Sequence, residues 1–212
     1  RKFPSSVSPN DSFILHVAFC TLHFQMILGI ETSTEICGVA LVEHGRCLAS
    51  AEESRPRSHS SLLLPMIERL LIDHRVAPTA LEALAVSLGP GSLTGLRVGL
   101  SLAKGLAMGW KIPLVGVETL RVIAARMDVS PAVGECPVID AKRGQVYSSV
   151  YRLQGDEWKE AKPPACESPE VLAEWVAGRE AEGPLMVSGS GVSWVRPMLE
   201  KYPWVSFAPE AQ

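Results

Sequence analysis

The sequence predicts a two-lobed α/β protein, because segments with strand patterns are followed by helical segments twice along the chain. Residues 27–30, 36–42 and 46–51 are short runs typical of strands, and residues 62–71 repeat leucine, methionine and isoleucine at helical spacing. A similar succession of elements begins near Cys136. With 212 residues, 47% of them hydrophobic and 20% charged, the chain can bury a core in each lobe.

The N-terminal lobe is predicted over residues 26–130. Its first three strands make an antiparallel start, with a turn at His44-Gly45 between the second and the third. The later elements of this lobe are a helix at 62–71, a strand at 84–88, a helix at 94–110, a strand at 113–117 and a helix at 118–127.

The C-terminal lobe is predicted over residues 131–212, and truncation at its end is left open. Its elements are a strand at 138–140, a turn at 142–144, a strand at 145–152, a loop at Pro163-Pro164, a helix at 170–177 and a strand at 185–187. Residues 1–25 do not fit the strand pattern that begins at Met26. We expect them to be a non-native or disordered extension. A targeting segment is the alternative, although no small-residue cleavage site follows their apolar run.

Composition and charge exclude several classes of function. The formal net charge of −3 lacks the strongly basic balance of a protein that binds nucleic acid by itself. The five cysteines are scattered and contain no Cys-x-x-Cys, which argues against a zinc site and a disulfide framework and for a reducing compartment. No apolar run approaches the roughly 20 residues of a membrane span. The sequence therefore predicts a cytoplasmic protein that is not bound to a membrane.

Two loops at strand ends are candidates for anion binding. Residues 31–34 (Glu-Thr-Ser-Thr) can hold a hydrated metal ion and phosphate oxygens, or they form a plain turn. Gly89, Gly91 and Ser92 belong to a glycine-rich loop that enters a helix N-terminus, where free backbone N–H groups bind anions. The alternative is a tight loop in which Ser92 or Thr94 caps the helix. The loop is not a Walker A motif, because no Gly-Lys-Ser/Thr follows.

The long helix at 94–110 carries a stripe of small residues, Gly95, Gly99, Ala103 and Ala107, spaced four apart. Glycine in a helix costs roughly 1 kcal/mol relative to alanine, which is tolerated where backbones approach closely. The rest of the helix is also largely apolar, which predicts burial on most sides. We expect the stripe to contact a partner chain. The alternative is a helix that is buried wholly within its own lobe.

A second helix is expected beside the stripe at the same partner interface, through its leucine-rich face. The residues expected there are Leu62, Leu63, Met66 and Leu70. With this arrangement, Gly99→Leu blocks association more than it unfolds the monomer.

No catalytic constellation is recognisable in the sequence. His59 has no second histidine four residues away, so a helical pair of metal ligands is not available. The segment Gly189-Ser190-Gly191 lacks the spacing of a nucleophile elbow. Asp140, at the end of a predicted strand, either accepts a metal or a basic partner or caps the turn at 142–144. We therefore expect neither catalytic groups nor a cofactor.

Four segments in order carry a resemblance to a known family: residues 26–35 (MILGIETSTE), 89–100 (GPGSLTGLRVGL), 116–120 (GVETL) and 139–147 (IDAKRGQVY). They resemble the bacterial TsaB (YeaZ) family, over Met26 to about Phe207. The resemblance implies an ASKHA (actin/Hsp70/sugar-kinase-like) fold and a role in forming N6-threonylcarbamoyladenosine in tRNA (t6A37).

The resemblance also implies partners. A non-catalytic member pairs with the transferase TsaD, or with itself in a homodimer, and the ATPase TsaE joins the pair. tRNA is reached only through the complex. The paired helices correspond here to residues 60–73 and 91–108.

The sequence departs from catalytic ASKHA proteins in its phosphate loops. Glu31 and Ser33 stand where those enzymes generally have an aspartate and a glycine, and a two-histidine metal motif is not found. These departures imply degenerate nucleotide and phosphate loops at Glu31, Thr32, Ser33, Gly89, Gly91, Ser92 and Asp140. The alternatives are an ATP-dependent small-molecule kinase of the same fold and, much less favoured, a glycoprotease-like peptidase.

Overall fold

The computed structural model describes residues 24–53, 59–125, 133–154 and 157–208, and it divides the chain into two units, one ending at Ala125 and one beginning at Arg126. The extension predicted for residues 1–25 falls outside the described residues except for its last two. The predicted boundary between residues 130 and 131 also lies outside them.

The first unit contains a five-stranded sheet in the order β3-β2-β1-β4-β5. Its strands are β1 (Met26–Glu31), β2 (Cys37–Glu43), β3 (Arg46–Glu53), β4 (Ala83–Gly89) and β5 (Leu114–Glu118). The first three pair antiparallel through short turns, whereas β4 pairs parallel with β1, and β5 pairs parallel with β4. Parallel pairing needs long crossovers, and helices supply them.

Helices cover both faces of this sheet. They are α1 (His59–Asp73), α2 (Leu93–Trp110) and α3 (Thr119–Ala125), and a short 3-10 helix spans Pro78–Ala80. On one face α1 and α2 pack against the sheet, and their shared core includes Leu28, Leu63, Ile67, Leu84 and Ala103. On the other face α3 contributes Val122 to a smaller core beneath β1, β2 and β4.

The second unit repeats this plan, with a sheet in the order β10-β9-β6-β7-β8. Its elements are β6 (Gly134–Lys142), β7 (Gln145–Gln154), β8 (Glu157–Glu167), α4 (Pro169–Ala177), a 3-10 helix (Glu180–Glu182), β9 (Leu185–Ser188), α5 (Val192–Leu199) and β10 (Val205–Phe207). Again three antiparallel strands are followed by two strands parallel to the first. This duplicated topology is that of the ASKHA fold, so the predicted fold class is confirmed.

The prediction of a loop at Pro163-Pro164 is wrong, because both prolines lie within β8. Proline cannot donate a ladder hydrogen bond, but β8 is an edge strand, with β7 as its neighbour in the sheet. The register also shifts at the prolines, since Ser148 pairs with Ala165 whereas Val150 pairs with Lys162. The extra residue of this bulge leaves the prolines free of the regular pairing.

A buried carboxyl group on β6 is expected to make the stability of the second unit depend on pH. The side chain of Glu135 is 0% exposed, and neither carboxyl oxygen has a hydrogen-bond partner among the described residues. Burial raises the pKa of Glu135 from 4.5 to about 8. The unfolded chain therefore ionises first, and stability falls as the pH rises from about 4.5 to about 8.

We expect Glu135→Gln to remove this dependence. Relative to the parent chain, the variant should gain on the order of 3 kcal/mol in unfolding free energy between pH 5 and pH 8. Urea unfolding at several pH values measures the difference, with the exposed Glu160→Gln on β8 as the matched control. Parallel pH curves for Glu135→Gln and the parent chain would show that the carboxyl group does not titrate as described.

Candidate functional site

The loops that follow β1 and β4 lie against each other in the first unit. Because the two strands are parallel neighbours, their carboxyl ends meet at one edge of the sheet. The Ser92 N–H donates to the Ser33 carbonyl at 2.7 Å, and Thr32 Oγ1 donates to the Gly95 carbonyl at 2.9 Å. The structure therefore brings together six of the seven residues predicted for degenerate phosphate loops, all except Asp140.

Glycine is required at both glycine positions of the second loop. Gly89 has a φ of +103°, in the region that side chains avoid, and a Cβ there would lie 3.1 Å from Leu96 Cδ1. At Gly91 a Cβ would lie 2.1 Å from the Ser33 carbonyl oxygen. Ser92 caps α2, since its side chain accepts a hydrogen bond from the Gly95 N–H. The loop is thus tight because it presses against residues 31–33.

The first loop uses its own polar groups internally. Glu31 Oε1 accepts hydrogen bonds from both the N–H and the Oγ of Ser33, each at 2.5 Å, and Thr119 Oγ1 donates to Ser33 Oγ at 2.9 Å. Glu31, Thr32 and Ser33 are 6%, 0% and 1% exposed. Burial raises the pKa of Glu31, and the Ser33 hydrogen bonds oppose the rise. With these donors engaged and these side chains buried, the loop has little left to offer a phosphate.

Gly91→Ala is expected to destabilise the first unit by about 1–3 kcal/mol, because the added methyl group collides with backbone and one of the two loops must shift. The matched control is Gly105→Ala on α2, where a Cβ would meet nothing within 4 Å. That control should stabilise the helix by roughly 0.5–1 kcal/mol. Thermal unfolding of both variants tests the pair, and equal melting temperatures would contradict the loop contact.

The predicted partner stripe on α2 faces inward, so its assignment as a partner interface is wrong. Gly95, Gly99, Ala103 and Ala107 are all buried within the first unit. At Gly99 a Cβ would lie 2.2 Å from Thr32 Oγ1, and Ala103 and Ala107 belong to the core beneath the sheet. The close approach that the small residues permit is to the chain's own first loop and sheet.

The predicted interface on α1 is corrected in the same way. Leu63, Met66 and Leu70 are 0%, 5% and 6% exposed and belong to the same core, and the partly buried Leu62 packs against it. The alternative of burial within the chain's own lobe is therefore the correct one for this face of both helices. The face of α1 and α2 that is available to a partner is therefore the one opposite to this buried face.

An exposed stripe runs along the outer face of α2 at intervals of three and four residues. It consists of Leu93, Arg97, Ser101, Lys104 and Met108. Leu93 and Met108 are 72% and 80% exposed, and on α1 Leu64 and Ile72 are 38% and 73% exposed. The interface predicted from the sequence does not include this stripe. The charge pattern of the sequence indicates it, because Arg97 and Lys104 are the only charged residues of α2 and mark its solvent face.

Asp140 lies in the second unit and caps a turn. Its carboxylate accepts hydrogen bonds from the Lys142 N–H at 2.7 Å and from Lys142 Nζ at 2.9 Å. Hydrogen bonding to the Lys142 side chain is the main reason that the pKa of Asp140 is lowered. In the glycine-rich segment after β9, Ser190 Oγ accepts a 3.4 Å hydrogen bond from the Asp140 N–H. The capping role proposed for Asp140 is confirmed.

Two negative findings hold for the described part of the chain. Over residues 24–53, 59–125, 133–154 and 157–208, no group of three or more histidine, cysteine, aspartate or glutamate residues is placed to hold a metal ion. Among the same residues, none of the helices is both long enough and apolar enough to span a membrane. The side chain of His59 lies outside the described residues.

The duplicated sheets define an ASKHA fold, and the loop after β1 is occupied by its own buried side chains. Residues 48–205 match the family described as TsaD, tRNA N6-adenosine threonylcarbamoyltransferase. The tRNA threonylcarbamoyladenosine biosynthesis protein TsaB of Escherichia coli is 37% identical over 78% of this chain and 71% of its own length. TsaB of Bacillus subtilis is 33% identical over 82% of this chain and 75% of its own.

A solved structure agrees with these relatives. YeaZ from Pseudomonas aeruginosa superposes with a TM-score of 0.74 and 33% identity, over 86% of this chain and 84% of that one. The chain belongs to the TsaB (YeaZ) family, and the predicted resemblance is confirmed.

Proposed function

We propose that this chain is a non-catalytic partner subunit in the formation of N6-threonylcarbamoyladenosine in tRNA, and that it binds and activates a TsaD-like transferase. The observation that carries the proposal is the identity of 37% to a protein named for this biosynthesis, over most of both chains. A TsaE-like ATPase joins the pair, tRNA is reached only through the complex, and the complex is cytoplasmic.

The closed first loop supports a non-catalytic role. A kinase of this fold needs a loop that receives phosphate oxygens, yet Ser33 and Glu31 engage each other there and are buried. Asp140, the other acidic candidate, is tied to Lys142. A peptidase needs a nucleophile beside a base, and no such pair is recognisable in the sequence. Titration of the isolated chain with ATP tests the enzymatic alternative, and micromolar affinity with turnover would contradict the proposed role.

The outer faces of α1 and α2 support partner binding. The exposed apolar side chains of both helices offer apolar contacts to a partner, and Arg97 and Lys104, which lie between those of α2, offer charged groups. Two helices meeting two from a partner form a four-helix contact, and a stable association buries about 800 Å² on each side. Without the transferase, the same face pairs with a second copy of the chain.

Reconstitution tests the proposal directly. A TsaD-like transferase, a TsaE-like ATPase, unmodified tRNA and a threonylcarbamoyl donor are combined with and without this chain, and the modified nucleoside is quantified by mass spectrometry after digestion. We expect its formation to depend on the chain, and we expect the chain to co-elute with the transferase. Equal product without the chain, or no co-elution, would overturn the proposal.

A further inference from the structure

Helix α2 is attached at its N-terminal end to the loop after β1. The Thr32 hydroxyl, fully buried, donates to the carbonyl of Gly95 within the helix at 2.9 Å. One residue along, the Ser33 carbonyl accepts from the N–H of Ser92, the N-cap of the helix, at 2.7 Å. These two hydrogen bonds join consecutive residues of the loop to the first turn of α2.

Four glycines in α2 or just before it, Gly91, Gly99, Gly105 and Gly109, fall into two groups by what surrounds them. A Cβ at Gly91 or Gly99 would collide with Ser33 or Thr32, at 2.1 and 2.2 Å. At Gly105 and Gly109 a Cβ would meet nothing within 4 Å. The glycines that the structure requires are therefore those beside residues 32 and 33. Their absent side chains let the helix lie directly on the loop.

The loop after β1 is itself fixed by hydrogen bonds that involve Glu31 and Thr119. Ser33 is bound to Glu31 through both its N–H and its hydroxyl, and Thr119 at the start of α3 donates to the same hydroxyl. Residues 31–33 therefore provide a firm seat that is continuous with β1 and α3. A helix resting on such a seat cannot rotate or slide without breaking buried hydrogen bonds, which are costly to leave unmade.

We propose that Thr32 is a positioning residue for partner binding: its hydroxyl and the seat behind it set the orientation in which α2 presents its exposed stripe. Gly95 and Gly99 lie on the seat while Leu93, Arg97 and Met108 point away from it, so a rotation of the helix displaces the stripe directly. The proposal rests on the proposed function, because the partner is the TsaD-like transferase. Residues 31–33, for which phosphate binding was one interpretation of the sequence, thus hold α2 in place.

The test compares Thr32→Val with Thr32→Ser. Valine removes the hydroxyl and sets a methyl group against the Gly95 carbonyl, whereas serine keeps the donor. By isothermal titration with the TsaD-like transferase, we expect Thr32→Val to raise Kd about tenfold, and Thr32→Ser to stay within about threefold of the parent chain. Hydrogen exchange should quicken in residues 93–110 of Thr32→Val, with exchange in the second unit unchanged.

A destabilising variant in the second unit separates positioning from a general loss of stability. Val187→Ala truncates a fully buried side chain in the core of the second unit and should lower the melting temperature by several degrees. It should leave the affinity for the transferase within about threefold of the parent value when measured well below the melting temperature. If Val187→Ala weakens binding as much as Thr32→Val does, the positioning role is refuted.

A double variant gives a further arm. Gly99→Ala should weaken binding, since its Cβ collides with Thr32 Oγ1. Adding Thr32→Ala relieves the collision, since the nearest remaining atom is the Cβ at 3.3 Å, but it also removes the hydroxyl, so the affinity should match that of Thr32→Val and not that of the parent chain. Unchanged affinity and exchange in Thr32→Val, or parent-like affinity in the double variant, overturn the proposal. If the parent chain binds no transferase, the proposed function fails instead, and hydrogen exchange alone decides whether Thr32 holds α2.

Discussion

Gly99→Leu should unfold the first unit of this protein. The glycine is a buried residue of α2, and even the Cβ of a substitute would lie 2.2 Å from Thr32 Oγ1 and 3.3 Å from Thr32 Cβ. Leucine adds three further carbon atoms to a space that has no room for one. Overpacking by single methylenes costs about 1–3 kcal/mol, and this change is larger, so the loss approaches the 5–15 kcal/mol of a typical domain.

Circular dichroism and urea unfolding of Gly99→Leu measure this effect. The matched control is Gly109→Leu, on the same helix at an exposed position where a Cβ meets nothing within 4 Å. The control should unfold within about 0.5 kcal/mol of the parent chain, as surface substitutions generally do. A folded Gly99→Leu monomer that has lost only its association would restore the small-residue stripe as the partner interface, against the burial described above.

Leu93→Asp should have the opposite effect: it should weaken binding to the partner and leave the fold intact. Leu93 is 72% exposed and is the first residue of α2, where an acidic side chain is favourable to the helix dipole. At the interface, however, the change replaces an apolar contact with a carboxylate that must be desolvated, a cost that Arg97 one turn along the helix offsets only in part. We expect affinity for the TsaD-like transferase to fall about a hundredfold, as at a residue that contributes strongly to binding.

Val171→Asp is the control for this prediction. Val171 is also exposed, at 50%, and also lies in the first turn of a helix, but on α4 of the second unit. Both variants should melt within about 2 °C of the parent chain, because neither disturbs a buried contact. Titration with the transferase then distinguishes them. Equal affinity for the two variants would mean that the outer face of α2 is not the partner surface.

Local patterns were sufficient to predict most of the elements and one part of the site. Leucine and isoleucine at helical spacing predicted α1. The loop from Gly89 to Ser92 predicted both the end of a strand and the start of α2. The turn role of Asp140 followed from its place between a strand and Lys142. Each of these depends on neighbours within a few residues, and such neighbours are visible in the sequence. Helix α5 was missed because Pro197 interrupts its pattern.

The sequence by itself determined that α2 has one face made of small residues and that a close approach must occur there, because glycine inside a helix is otherwise unfavourable. Only the tertiary structure shows which residues lie against this face. Thr32 and Ser33 are more than fifty residues from that face along the chain, and parallel pairing of β1 with β4 brings them beneath it. Arg97 and Lys104 mark the solvent face of α2, but the rest of the helix is apolar or small, so its periodicity could not show whether the small-residue face is buried in its own unit or offered to a partner.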